Sequence, residues 1–500
     1  MRIIPFSKTH TLVVNTNQTL TTSLTENEKT IKKLLPAEDI LSHAFTTADG
    51  RDCLLFYADG MVNKELLGTL VARPLTDLYE EKQGGRDKAS VEKTVLFPEL
   101  KRVENTADMV SEVLDGNTLL LVDGLAVGFI AGAKLLPVRA VIEPPTDIAI
   151  KGPREGFIED IKTNMTLVRK RLKTPDLRFE TLRVGRRSQT AVCLCYLEGT
   201  SNAEVLAELK ERVKKIDIDC VPDSSYIAAL ASPRPRSVFK NFGTTEKPDI
   251  FTAKLSEGRV GILVDGSPIA LTAPFLLTED LQSSEDYFIS PFSATIFRFL
   301  RLASLLVAVL LPAFYVSAQL HKMQLLPLGL MLTIASSVQE LPLSPALEMF
   351  VVLFLLETLK EASIRMPKYV GMSLSVVGAL VLGETAVSAG FLSTPTIIIV
   401  AFSGICLYTV PDFVETGSIL RWLFLLVSGS LGPFGIALLI AFLLGYLLTN
   451  DRFGTPPLAP FSPLVRRDLR DSAVKYGLHA LNLRPRLLRS PNRTRLKKGD

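Results

Sequence analysis

Cysteine is scarce in this chain and forms no pattern. Its five cysteines (Cys53, Cys193, Cys195, Cys220, Cys406) are odd in number and include no Cys-x-x-Cys pair. That excludes a disulfide framework and a cysteine zinc site, and it suits a cytosolic setting for the soluble part. Histidine is scarcer still: His10, His43, His321 and His479 are scattered, which leaves a histidine metal cluster without footing. No P-loop and no nucleophile elbow is present. The expectation is a protein that is not an enzyme and uses no metal and no cofactor. A signal-peptide hydrophobic stretch is missing from MRIIPFSKTHTLVVNTNQTL, so that end need not be exported.

Long apolar runs are missing from residues 1 to about 290 and crowd into residues 302 to 450. Five hundred residues exceed one compact core, so this division reads as soluble domains followed by a membrane domain. Net charge is +4 overall, but the last fifty residues hold twelve Lys/Arg against four Asp/Glu. A basic tail beside the last apolar run is a positive-inside signal and suits contact with anionic lipid. Nothing aromatic or motif-like in it supports nucleic-acid binding.

The expected order is a flexible N-terminus (1–25), a first α/β subdomain (26–145), a connector helix region (146–190), a second α/β subdomain (191–290), a membrane domain (295–450) and a basic cytoplasmic tail (451–500). The helical pattern starts at Glu26 and runs to Leu41. CLLFYADG (Cys53 to Gly60) precedes a helix opened by Asn63, and AVCLCYLEG (Ala191 to Gly199) precedes a helix opened by Asn202. A second landmark recurs as well: LDGNTLLLVDG at Leu114 to Gly124 reads as a hairpin-like strand pair, and its Gly116 and VDG match Gly258 and the VDG ending at Gly266. The two offsets, 139 and 142 residues, argue for an internal duplication in the soluble part. In the connector, Ile158, Ile161, Met165, Val168 and Leu172 fall on one helical face, with basic residues at the C-terminal end.

In the membrane half, Leu302–Leu320 is long enough to span, and Arg298 and Arg301 place its start in the cytoplasm. Segments 325–338 and 341–359 read as spans or as re-entrant elements. Met372–Leu392 is rich in small residues, which permit close helix packing in lipid. Thr396–Val410 reads as a span. Trp422–Asn450 is charge-free but interrupted by SGSLGPFG, so it is one broken helix or a helix pair. Four or six crossings fit the basic flanks. Charges inside such a region face a bundle interior or a wet cavity. Glu384, Thr385 and Ser388 share a helical face and are candidates to line a pore or to bond within one bundle. Glu357, Lys360, Glu361 and Arg365 are spaced as a membrane-edge ion-pair ladder.

The stretches IEPPTDIAIKGPREGFIEDIKTNMTLVRKRL, VGRRSQTAVCLCYLEG, TEKPDIFTAKLSEGRVGILVDGSPIAL, QSSEDYF and LKEASIRMP…VGALVLGETAVSAG resemble the A subunits of spore germinant receptors. That group, the GerA-type spore germination proteins, includes the closely similar stage V sporulation protein AF. The family usually reads Gly-Gln-Ala-Ala-Val-Glu-Ala-Gly where this chain has Gly383-Glu-Thr-Ala-Val-Ser-Ala-Gly390, so its acid stands at Glu384. The resemblance implies a multi-pass protein of the spore inner membrane, assembled as a homo-oligomer, a pentamer, with a transporter-like B subunit and a C-subunit lipoprotein. It further implies a nutrient-gated cation channel that triggers germination. Two other readings stand beside it: a family scaffold supporting release of spore-core solutes, and a secondary transporter. The latter calls for repeats in the membrane half, whereas the duplication lies in the soluble half.

Overall fold

The computed structural model describes residues 19–77, 91, 94–135, 151–339, 341–366, 378 and 383–496. Two five-stranded antiparallel sheets form the soluble part. The first comprises β1 (Ile40–Thr46), β2 (Asp52–Ala58), β3 (Leu100–Val103), β4 (Thr118–Val122) and β5 (Gly128–Ala131), in the order β1-β2-β4-β5-β3. The second comprises β6 (Leu177–Val184), β7 (Thr190–Leu197), β8 (Gly243–Thr245), β9 (Val260–Val264) and β10 (Ala270–Ala273), in the order β6-β7-β9-β10-β8. The two orders are the same permutation. Asn63 and Asn202 both cap helices by accepting the N–H two residues on, at 3.1 and 2.9 Å. The landmark glycines 60, 116 and 124 have positive φ, as do their counterparts 199, 258 and 266.

Both sheets are covered on both faces, which is why their central strands read as unbroken apolar runs. In β7, Val192 and Leu194 join one cluster with Val205, Leu209, Ile262 and Val264. Cys193 and Cys195 point the other way, into a cluster with Ile161, Leu167, Phe251 and Leu255. Their Sγ atoms lie 3.8 Å apart, both fully buried. Each fully buried aliphatic side chain here contributes about 1.5–3 kcal/mol relative to exposure.

Local structure differs from the sequence expectations at three places. Helix α1 (Leu24–Leu34) stops well before Leu41, because Pro36 disfavours helical backbone at the residue before it. In the expected strand pair Leu114–Gly124, Leu114 instead closes a helix and only Thr118–Val122 is a strand. The region 146–190 is no separate connector where it is described. Its helix Ile161–Arg171 packs on the second sheet, and Leu177–Val184 is that sheet's first strand, so the second subdomain begins before residue 191.

A buried ion pair joins the two subdomains. Arg169, on the helix Ile161–Arg171, donates from Nε and one terminal nitrogen to both oxygens of Asp39, at 2.8 and 2.7 Å. The two side chains are 1% and 5% exposed. The other guanidinium donors reach the carbonyls of Thr174 and Leu177, and the guanidinium lies 5.2 Å over the Phe179 ring.

The C-terminal half is helical, and two of its helical stretches, Pro291–His321 and Pro411–Thr449, are long and apolar enough to cross a membrane. The helix Pro291–His321 contains the expected Leu302–Leu320 segment. Shorter helices cover Leu328–Val338, Pro345–Arg365 and Thr394–Tyr408. Of the expected segment Met372–Leu392, residues 372–377 and 379–382 lie outside the described residues. The 36-residue helical stretch Val414–Thr449 is a hairpin. Gly432 sits at φ 60°, ψ −144°, followed by Pro433. A straight helix of that length spans about 54 Å. Yet Phe413 at one end and Tyr446 near the other both pack on Phe239, with ring centroids 6.4 and 6.2 Å away. Each arm has some 17–18 residues, the short end of the range for a crossing. The helix-pair alternative is therefore the one adopted, and a backbone region open to glycine alone makes the reversal.

The tail, expected as a basic cytoplasmic extension suited to contact with anionic lipid, folds onto the second subdomain. Phe453 enters its core, 5.4 Å from Phe242, and Arg452 is fully buried with a donor on Ser237 Oγ at 3.3 Å. Arg484 donates to the Ser256 carbonyl and Ser490 to the Thr200 carbonyl, each at 2.6 Å.

Candidate functional site

Three polar places stand out: two hold the helical half to the soluble half and to itself, and the third is an open groove. The first is at the entry of the helix Pro291–His321, which Ser290 caps. Asp286, fully buried, accepts from Arg298 Nε at 3.0 Å and from both terminal nitrogens of Arg301, at 2.9–3.0 Å. Arg298 also donates to the Asp471 carbonyl at 2.5 Å, and Lys475 pairs with the Asp471 carboxylate at 2.9 Å while lying 3.6 Å from the Tyr287 ring. Burial, with Asp471 adding to it, pushes the Tyr287 hydroxyl well above its ordinary range. Burial pulls Lys475 down despite Asp471. Thus the loop QSSEDYF, the first long helix and the tail meet in one buried network.

Beside it, Lys240 lies 3.0 Å from Asp412 and 3.9 Å from Asp280. Burial raises the Asp280 carboxyl to about 7, Lys240 opposing the shift and Asp412 adding to it. This is a titratable joint between the second subdomain and the start of the helical hairpin.

The second constellation lies among the apolar helices. Glu357 pairs with Lys360 one turn on and with Arg421, which is 2% exposed, on the first arm of the hairpin. Ser418 donates to Glu357 at 3.1 Å, and Arg421 reaches Ser403 Oγ at 3.2 Å; Ser403 in turn donates to the Ala308 carbonyl at 2.7 Å. One ion pair thereby ties four helical segments. Glu361 and Arg365 form a separate, exposed pair at 2.6 Å, so the four charges split into a buried cross-helix knot and a surface pair rather than one ladder. Sequence spacing gives the pairs Glu357–Lys360 and Glu361–Arg365. Arg421 is 64 residues from Glu357, and no local periodicity points to it.

The third is a groove of about 350 Å³ lined by Gly383, Glu384, Val387, Ser388, Thr394, Ile397 and Ile398. Glu384 and Ser388 stand together on it and are exposed, while Thr385 is not among the lining residues described. Ser388 Oγ donates to the Thr385 carbonyl at 3.1 Å. Glu384 therefore opens on the outer surface of the single chain, on an otherwise apolar wall.

Among the described residues, no group of three or more His, Cys, Asp or Glu is arranged to hold a metal. The chemistry available at these three places is charge pairing and polar lining.

Comparison with known proteins follows the same chain length. The family described as Bacillus/Clostridium GerA spore germination protein matches residues 28–487. The uncharacterized membrane protein YfkQ of Bacillus subtilis (strain 168) is 33% identical across 94% of this chain and 92% of its own. Spore germination protein KA of the same organism is 31% identical across 89% of this chain and 82% of its own. Spore germination protein GerLA of Bacillus cereus is 33% identical across 88% of this chain and 90% of its own. Among solved structures, the N-terminal domain of the A subunit of the Bacillus megaterium spore germinant receptor GerK3 is 29% identical, covering 52% of this chain and 98% of its own, with a TM-score of 0.42.

Proposed function

This chain belongs to the GerA family of Bacillus/Clostridium spore germination proteins, and from that membership we propose that it serves as the A-type subunit of a spore germinant receptor, an oligomeric channel for monovalent cations. It sits in the spore inner membrane as a multi-pass protein and performs no catalysis. The soluble subdomains and the tail lie on the cytoplasmic side; their mutual packing supports a common side for both. A transporter-like partner subunit and a lipoprotein subunit complete the receptor.

The observation that carries the channel reading is the place of Glu384. A charged side chain on an apolar helical wall is costly in contact with lipid and is tolerated where it faces water or a neighbouring protein. Glu384 and Ser388 open outward from the protomer, on a groove of small and aliphatic residues. Copies of the chain arranged about a shared axis give that wall an aqueous side. The buried knot of Glu357 with Arg421 supports a rigid frame behind it.

Reconstitution of the full chain in vesicles, alone and with its partner subunit, followed by cation-flux recording, tests this. Glu384→Gln is expected to change cation preference or conductance, and Ser388→Ala to change it less. Absence of any flux from an intact oligomer with its partner would overturn the channel reading, and unaltered flux in both variants would remove these residues from the pore.

A further inference from the structure

A second carboxylate is buried in the helical half, and it lacks the partner that Glu357 has. Glu348, in the first turn of the helix Pro345–Arg365, is fully buried. Its Oε1 accepts the backbone N–H of Ser393 at 2.5 Å. Its Oε2, equally buried, has no hydrogen-bond partner among the described residues. Ser393 caps the helix Thr394–Tyr408 and donates from Oγ to the Thr396 hydroxyl at 2.8 Å. From the first long helix, Tyr315 brings its hydroxyl within reach of both Ser393 and Thr396, and Gln319 donates to that hydroxyl at 2.8 Å. The Gln319 carbonyl oxygen is buried and, among the described residues, again unpartnered. Apolar walls close the cluster, among them Val316, Met349, Leu392 and Val400.

An uncompensated carboxylate in such surroundings costs several kcal/mol unless positive charge joins it. Among the described residues no Lys, Arg or His forms an ion pair with Glu348; His321, two residues beyond Gln319, packs instead against Gly432. Two helix N-termini, those of Pro345–Arg365 and Thr394–Tyr408, direct their positive ends at the cluster. The donor set is all oxygen with one negative charge, which suits a hard cation of single charge and is too weak for a divalent ion.

We propose that Glu348, Gln319, Tyr315, Ser393 and Thr396 form a binding site for a monovalent inorganic cation that pins together three helices of the bundle. The site requires no conduction, so its test is independent of the channel reading.

The test is the thermal midpoint of the purified full chain in detergent, titrated with NaCl or KCl against choline chloride at constant ionic strength and pH. The expected result is a saturable rise of about 2 °C or more with the inorganic cation. Glu348→Gln abolishes that rise, and Gln319→Leu and Thr396→Val raise the half-saturating concentration roughly threefold or more. Equal midpoints in choline and in both inorganic salts would overturn the site. So would a cation response retained in Glu348→Gln, or a midpoint that follows pH but ignores the cation, which would mean that the carboxyl holds a proton. Should Glu348→Gln fail to fold, the other two variants decide, and an unchanged half-saturating concentration in both overturns the proposal.

Discussion

Removing either partner of the Asp39–Arg169 pair tests whether the two subdomains are held by a buried charge. Asp39→Ala strands a guanidinium that is 1% exposed; Arg169→Met strands a carboxylate that is 5% exposed. Leaving one buried charge without its partner costs about 3–5 kcal/mol. Arg169 keeps its bonds to the Thr174 and Leu177 carbonyls after Asp39 is lost, so Asp39→Ala belongs at the lower end of that range. Arg169→Met forfeits those two bonds and the contact over Phe179 as well, and belongs at the upper end. The double variant buries no charge, so it should cost at least 2 kcal/mol less than the sum of the singles, a coupling size seen for residues in direct contact. The assay is thermal unfolding of the full chain in detergent, followed by far-ultraviolet circular dichroism. At about 2–4 °C per kcal/mol for a folding unit of this size, each single variant lowers the midpoint by roughly 6–20 °C. Singles costing under about 1 kcal/mol, or a strictly additive double, would refute the reasoning.

Three further perturbations follow from the joints. Gly432→Ala places a Cβ 2.7 Å from the His321 ring at a backbone conformation that other residues avoid; a loss of roughly 2–4 kcal/mol and weaker amide-exchange protection at the tip of the hairpin are expected, read by hydrogen exchange. Glu357→Ala, which strands Arg421, should destabilise the bundle by about 3–5 kcal/mol, whereas Lys360→Ala, the partly exposed side of the same knot, should cost about 1 kcal/mol or less in the same thermal scan. For Asp280, the folded carboxyl at about 7 lies above its ordinary 3.8. The folded state thus holds the proton more tightly than the unfolded chain. Its contribution is complete below pH 4 and is lost as pH rises towards 7. Asp280→Asn should therefore flatten the fall in thermal midpoint between pH 4 and 7, and a profile parallel to that of the parent chain would exclude Asp280 as its source.

What could be read from the sequence was local. The caps Asn63 and Asn202, the turn glycines and the apolar strands each depend on a few neighbouring residues, so their recurrence at similar offsets was visible. Pro36 also carried a stop signal, which the continuing helical spacing towards Leu41 obscured. The pairs Glu357–Lys360 and Glu361–Arg365 follow from helical spacing. Arg421, Asp286 and Asp471 could not be found that way. Each meets its partner through packing of separate segments; Arg421 is a single charge beside an apolar run, while Asp286 and Asp471 stand among other charges that give no cue to the pairing. The break at SGSLGPFG was legible, but its outcome depended on the sign of one φ angle at Gly432. Glu348 lies in the segment 341–359, and nothing in its neighbourhood of sequence announces Gln319 or Thr396.

The return of the tail has a consequence for the order in which the protein is made. Phe453 completes a core whose other members end at Ala273, about 180 residues earlier. At translation rates of about 5–20 residues per second, that leaves roughly 10–35 s in which the second subdomain has emerged but lacks its closing residue. During that interval the apolar helices Pro291–His321 and Pro411–Thr449 are still being synthesised. The second subdomain is thus sealed only after the helices have been synthesised, by the same segment that anchors Asp471 and Lys475 against Arg298 and Tyr287. A chain truncated after the last helix would leave that core without Phe453, open on the side the tail covers.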